Sequence, residues 1–96
     1  MRRALQSVGM KKFVEFYKYF KNGQREQTIQ LLQQSGDVIT GARVRWCMAR
    51  RIFENEWQQE ALERVINSNH VDDAIKIKAR KLLAKERRKA SGSTAQ

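Results

Sequence analysis

Hydrophobic residues recur along the chain at the three- and four-residue spacing of an amphipathic helix. The clearest block begins near Met10 and ends near Phe20, and one face of it carries Met10, Phe13, Val14, Tyr17 and Phe20. This spacing predicts a helix whose rings anchor a core. A base-stacking platform is the alternative, but such platforms usually lie on sheets or OB-folds. Residues 1–8 form either a frayed lead-in or the first turn of a helix.

The same spacing predicts four further helices, over Arg25–Gln34, Ala42–Phe53, Trp57–Asn67 and a last segment from near Val71 to about Arg88. Proline, which breaks helices, is absent. The sequence therefore predicts an all-α fold, a compact bundle of four to five short helices. We expect a single helical domain over residues 1–89 and a disordered, small-residue tail at residues 90–96.

A weak internal repeat suggests how the helices are arranged. Thr28–Phe53 aligns with Ala61–Glu86 at an offset of 33 residues, which matches two helix-turn-helix units. The repeat predicts two stacked α-hairpins, but with two identities it is equally open to chance.

The central segment Ala42–Phe53 combines four arginines with a dense apolar stripe and has no acidic residue. Helical spacing places Val44, Cys47, Met48 and Ile52 on one face. We expect that face in the core, with Trp46, Ala49 and Phe53 beside it and Cys47 as a buried, inert thiol. Arg43 and Arg50 then point away from this face, and Arg45 is a further candidate for the outward side.

The formal net charge of +10 on 96 residues favours a polyanionic partner. The charge is uneven: residues 41–53 carry +4 and residues 74–96 carry +7, whereas residues 54–73 carry −5. An acidic segment between two basic ones is expected to pair with its neighbours.

The last helix has the strongest polyanion signal. It contains Lys76, Lys78, Arg80, Lys81, Lys85, Arg87, Arg88 and Lys89, with Glu86 as its one acid after Ala74. Like charges at helical spacing repel unless a partner neutralises them. Such clusters usually contact phosphates, although a solubility helix is the plainer alternative. The helix has no aromatic ring, which argues against a membrane-surface role.

If residues 25–53 are interpreted as a DNA-binding helix-turn-helix, the sequence predicts contacts in the DNA groove from Arg43, Arg45, Arg50 and Arg51. A basic helix after a glycine-containing turn is the order that groove insertion requires, and arginine pairs with guanine edges. An ordinary α-hairpin accounts for the same pattern.

Catalytic chemistry has little support in the sequence. His70 is the one histidine, in a predicted turn beside two aspartates, and no glycine-rich phosphate loop or metal-ligand spacing occurs. We therefore expect a protein that is not an enzyme, with no metal, no cofactor and no small-molecule substrate. No apolar run approaches the length of a membrane span, and we expect a cytoplasmic protein with no membrane partner.

The sequence thus favours a small nucleic-acid-binding protein, for DNA in preference to RNA, in an accessory or regulatory role. Its phosphate contacts would come from the basic last helix. The alternative is a helical protein-interaction module or adaptor that binds an acidic protein partner. A homodimer interface would add to the modest core of so short a chain.

Overall fold

The computed structural model describes residues 1–94, with side chains as far as Lys89. This part of the chain contains seven helices and no strand, which confirms the all-α prediction. The helices are α1 (Arg2–Val8), α2 (Met10–Glu15), α3 (Tyr17–Asn22), α4 (Arg25–Gln34), α5 (Ile39–Glu54), α6 (Gln58–Asn67) and α7 (Asp73–Thr94). The tail predicted at residues 90–96 lies outside the residues whose side chains are described, and residues 95–96 lie outside the described chain altogether.

The N-terminal segment holds three helices in place of the predicted one, which raises the count above four to five. Gly9, with a φ of 87°, ends α1 and begins α2, and Phe16 (φ −108°, ψ 18°) separates α2 from α3. The second break lets α2 pack on α7 while α3 packs on α4 and α5. The two segments on either side of Phe16 therefore have different main neighbours.

A single hydrophobic core joins the helices. Its largest fully buried side chains are Phe13, Phe20, Leu5, Leu32, Ile52 and Leu62. Phe53 stacks on Phe13 at a ring-centroid distance of 5.7 Å and meets Tyr17 edge-on at 5.1 Å. The rings of the N-terminal segment therefore anchor a core, as their spacing predicts. The radius of gyration of 13.2 Å is that of a compact chain of this length.

The inward face of α5 differs from the predicted one. Ala42, Trp46, Ala49 and Ile52 are buried, whereas Val44 is 50% exposed and Cys47 is exposed. The prediction of a buried Cys47 is therefore wrong. The contact seam of α5 passes over its two alanines, whose small side chains allow close approach of α1 and α4, the helices that pack most extensively on α5.

The last four helices form two consecutive helical pairs, α4 with α5 and α6 with α7. The bounds of α4 and α6 differ by the 33 residues of the proposed repeat, and both helices have ten residues. Each pair joins a short helix to a longer one through a tight connection. The first helices of the two pairs, α4 and α6, are therefore separated by the same 33-residue offset that the sequence repeat shows.

Candidate nucleic-acid interface

An unbroken row of positive charge runs along the outward face of α7. Lys78, Lys81, Lys85 and Arg88 follow one another at spacings of three and four residues, and all four are exposed. We call these four residues the α7 row. The opposite face of α7, with Ala79, Leu83 and Glu86 buried, packs against α6 and α2, and Glu86 also contacts α3. Lys78 donates a long hydrogen bond of 3.4 Å to the carbonyl oxygen of Glu15, and the row otherwise faces solvent.

The remaining basic residues of α7 differ from the α7 row in their surroundings. Arg87 donates to Oε1 of Glu63 on α6 at 2.9 Å, so its charge is partly neutralised within the protein. Arg80 borders a shallow cavity of about 440 Å³ beside this pair, and Lys76 is half-buried. The Glu63–Arg87 pair bears out the expectation that the acidic segment pairs with a basic neighbour.

Arg45 and Arg50, two of the predicted groove-contacting residues, have their guanidinium groups committed within the fold. Nε of Arg45 donates to the carbonyl oxygen of Val8 at 2.9 Å, and the same side chain forms an ion pair with Asp37. These two bonds tie the α4–α5 turn to the end of α1. Arg45 therefore positions α5 and has little freedom to reach a ligand.

Arg50 closes the C-terminal end of α3. Its Nη1 donates to the carbonyl oxygens of Phe20 at 2.7 Å and Lys21 at 3.2 Å. Helix ends leave such carbonyls without intrahelical partners, so a guanidinium group there acts as a C-cap. The Arg50 guanidinium also lies 5.9 Å from the centre of a Trp46 ring.

Arg43 and Arg51, by contrast, are exposed on the outer face of α5. Neither guanidinium group has a hydrogen bond or an ion pair within the described residues. Cys47 lies between them at four-residue spacing, and Thr40 and Val44 extend the same exposed face toward the start of the helix. Since α5 packs mainly on α1, α3 and α4, and α7 on α6 and α2, the two basic surfaces lie on helices that have different main neighbours.

A buried polar cluster joins α3 to α7 behind the α7 row. The Tyr17 hydroxyl donates to Oε1 of Glu86 at 2.9 Å, and Lys21 forms an ion pair with the same oxygen. Burial alone raises the pKa of a carboxyl group. Hydrogen bonds from Lys21 and Tyr17 and the charge of Lys21 outweigh burial here and hold the pKa of Glu86 below its ordinary value. The pKa of Tyr17 is strongly raised. Burial is the largest cause, and the hydrogen bond to Glu86 and the negative charge of Glu86 add to it, so the hydroxyl stays protonated and remains a donor.

A cleft of about 550 Å³ opens in front of this cluster. Its walls carry the lysines of both helices, Lys18 and Lys21 from α3 and Lys85 and Lys89 from α7, with Tyr17 and Glu86 also in the lining. We call this feature the lysine cleft. Sequence reasoning did not find it because it joins positions more than sixty residues apart. The one available signal was the register of Glu86, which continues the inward positions Ala79 and Leu83 of α7.

The described residues contain neither a group of metal-ligating side chains nor a membrane-spanning helix. No three His, Cys, Asp or Glu side chains come together among residues 1–94 in a way that suits a metal ion. In the same part of the chain, none of the helices has the length and apolar character needed to cross a membrane. His70 is exposed in the α6–α7 connection, where its backbone N–H donates to Ser68 Oγ at 3.1 Å.

Comparisons with known proteins match this chain to no protein family, no curated protein and no solved structure.

Proposed function

We propose that this chain is a small nucleic-acid-binding protein in which the α7 row contacts the phosphate backbone, in an accessory or regulatory role. The observation that carries the proposal is the α7 row itself, four exposed cations on one helix face with no acidic residue between them on that face. Like charges at this spacing destabilise a helix slightly. Binding to a phosphate backbone neutralises these charges and removes the repulsion, and the release of counterions from the nucleic acid adds to the affinity.

The outer face of α5 supplies a second contact surface under this proposal. Arg43 and Arg51 project from it, and Val44 offers an apolar contact of the kind that thymine methyl groups accept. The α4–turn–α5 segment has the order of a helix-turn-helix, and the bonds of Arg45 fix the entry of α5. This resemblance is the reason for preferring duplex DNA to RNA, because a helix fits the major groove of DNA and not that of RNA.

The test compares binding by two variants of equal net charge. In the first, each residue of the α7 row is replaced by Gln. In the second, the same replacement is made at four exposed cations elsewhere, Arg2, Arg3, Lys11 and Arg25. Fluorescence anisotropy with labelled duplex DNA, single-stranded DNA and RNA measures affinity. We expect the α7-row variant to lose about tenfold or more in affinity and the control much less. Equal losses would show that net charge alone drives binding.

A second candidate function is a protein-interaction module that binds an acidic partner. It is favoured by apolar exposure at the start of α5, where Val38 is 70%, Ile39 40% and Val44 50% exposed. Exposed apolar residues beside positive charge suit an acidic protein surface. Weak binding to all three nucleic acids, lost near physiological salt, would favour this candidate over the first.

A further inference from the structure

We propose that the lysine cleft between α3 and α7 binds one phosphate group, with Lys18 and Lys85 as the contacting cations. Lys18 belongs to α3 and stands outside every basic segment that the sequence singled out. Both lysines line the cleft, one from each helix. The proposal therefore extends the interface from α7 to a second helix.

The charges in the cleft do not cancel. Glu86 is ionised, and its hydrogen-bonded partner Lys21 neutralises it. Lys18 and Lys85 are exposed, and their ammonium groups have no hydrogen bond or ion pair within the described residues. The cleft thus holds a net positive charge next to a carboxylate that is already satisfied. An anion that enters meets two available ammonium groups.

The buried cluster holds the cleft in a fixed shape. Lys18 directly follows Tyr17, and Lys85 directly precedes Glu86, so the Tyr17–Glu86 hydrogen bond of 2.9 Å joins the backbone segments that carry the two lysines. Fixing the two walls in advance lowers the ordering cost that binding would otherwise carry. In this fixed shape the cleft differs from a row of lysines on an isolated helix.

The chemistry of the cleft suits a phosphate group. Each ammonium group offers three donors and a compact charge, and lysine is a common point-charge partner of phosphate. The phosphate can belong to a nucleic-acid backbone or to a free phosphate compound. The first source rests on the proposed function, whereas the second does not.

The experiment uses single substitutions on the full chain. Lys18→Gln and Lys85→Gln each remove one cation of the cleft, and Lys11→Gln removes one exposed cation from α2 as the matched control. We expect both cleft variants to weaken duplex DNA binding by about fivefold. Each should also reduce the slope of log affinity against log salt by about 1. Lys11→Gln should leave the slope unchanged. All three side chains are exposed, so the variants are expected to fold normally.

A second arm titrates inorganic pyrophosphate into the unliganded protein and follows the backbone amide signals of Lys18 and Lys85 by NMR. Shifts that saturate, and that vanish in Lys18→Gln, combined with unchanged DNA binding by that variant, would identify a free phosphate compound as the ligand. Weaker DNA binding by both cleft variants identifies a backbone phosphate. If neither arm responds to Lys18→Gln, the inference is overturned, although the proposed function survives if the α7-row variant still loses affinity. If the wild-type protein binds no nucleic acid, the proposed function fails and the pyrophosphate arm alone decides the cleft.

Discussion

The Tyr17 hydroxyl donates a hydrogen bond of 2.9 Å to Oε1 of Glu86 across 69 residues of sequence. Lys21 pairs with the same oxygen from one turn further along α3. Both contacts join the aromatic N-terminal segment to the most basic helix of the chain. Since a buried carboxylate is stable when it is paired and hydrogen-bonded, the cluster fixes where α7 lies and which of its faces points outward.

Replacing Tyr17 with Phe removes the hydroxyl and keeps the ring in the core. Because hydrogen bonds to charged groups contribute more than neutral ones, we expect the free energy of unfolding to fall by about 1.5 kcal/mol. Urea denaturation followed by circular dichroism measures the change. Tyr19→Phe is the matched control, because Tyr19 has no hydrogen bond through its hydroxyl within the described residues. Equal stabilities of the two variants would contradict the importance of the buried bond.

Glu86 gives the fold a defined pH dependence. Its pKa lies below the ordinary value of 4.5 in the folded state, so the unfolded chain binds the proton more readily. The stabilisation is therefore fully present above about pH 4.5 and is lost as the pH falls through the lowered pKa. We expect Glu86→Gln to be less stable than wild type at pH 7, and this difference to shrink as the pH falls below 4.5. A difference that stays constant across that range would rule out ionised Glu86 as its source.

Arg50 and Arg51 are neighbours with opposite roles. Arg50→Met removes two hydrogen bonds to the end of α3, and we expect the free energy of unfolding to fall by about 1–2 kcal/mol. Arg51→Met alters an exposed side chain and should change stability by about 0.5 kcal/mol or less. Under the proposed function, Arg51→Met instead weakens nucleic-acid binding. Thermal unfolding and anisotropy on the same two variants measure both effects, and a reversed pattern would refute the assignment.

Glu56 has a backbone conformation that suits glycine. Its φ of 57° lies in the left-handed region, and it stands one residue beyond Asn55, the C-cap residue of α5. Its N–H bonds the carbonyl oxygen of Phe53 at 3.0 Å, and that of Trp57 bonds the carbonyl oxygen of Ile52 at 2.8 Å. A side chain is unfavourable there, so we expect Glu56→Gly to raise the free energy of unfolding by about 0.5–1 kcal/mol.

The control for Glu56→Gly is Glu54→Gly, which places the same change inside the last turn of α5. Glycine costs stability at a helical position, so this variant is expected to unfold more easily, by about 0.5–1 kcal/mol. Chemical denaturation of both variants gives the comparison. A loss of stability in both would show that the left-handed position tolerates glutamate without strain.

Local pattern predicted much of the helical framework. Arg25–Gln34 is predicted and observed with the same bounds, and α6 begins one residue later than predicted. These helices have clear apolar stripes and, for α4, a glycine just beyond the end. The break at Phe16 was not predictable in this way, because the apolar stripe of the sequence continues through it and the different main neighbours of α2 and α3 appear only in the folded chain.

Side-chain roles depended more on distant contacts. Nothing in the sequence of α5 distinguishes Arg45 and Arg50 from its other two arginines, Arg43 and Arg51. In the folded chain, however, Arg45 and Arg50 donate hydrogen bonds to carbonyl oxygens of α1 and α3, which are distant in sequence. The face of α5 that points into the core likewise depends on the neighbouring helices, which approach α5 closely at its alanines. Sequence spacing therefore located the basic helices, whereas the assignment of individual arginines required the three-dimensional contacts.

Phosphate binding by the α7 row is tested most directly by the salt dependence of duplex DNA affinity, measured for the wild-type protein and for the α7-row variant. Four phosphate contacts contribute about 3.6 to the slope of log affinity against log salt. We predict that the wild-type slope is at least this steep and that the four Gln replacements remove most of it. The variant with Arg2, Arg3, Lys11 and Arg25 replaced should retain the wild-type slope. Equal slopes for the wild-type protein and the α7-row variant would contradict phosphate binding by this face of α7.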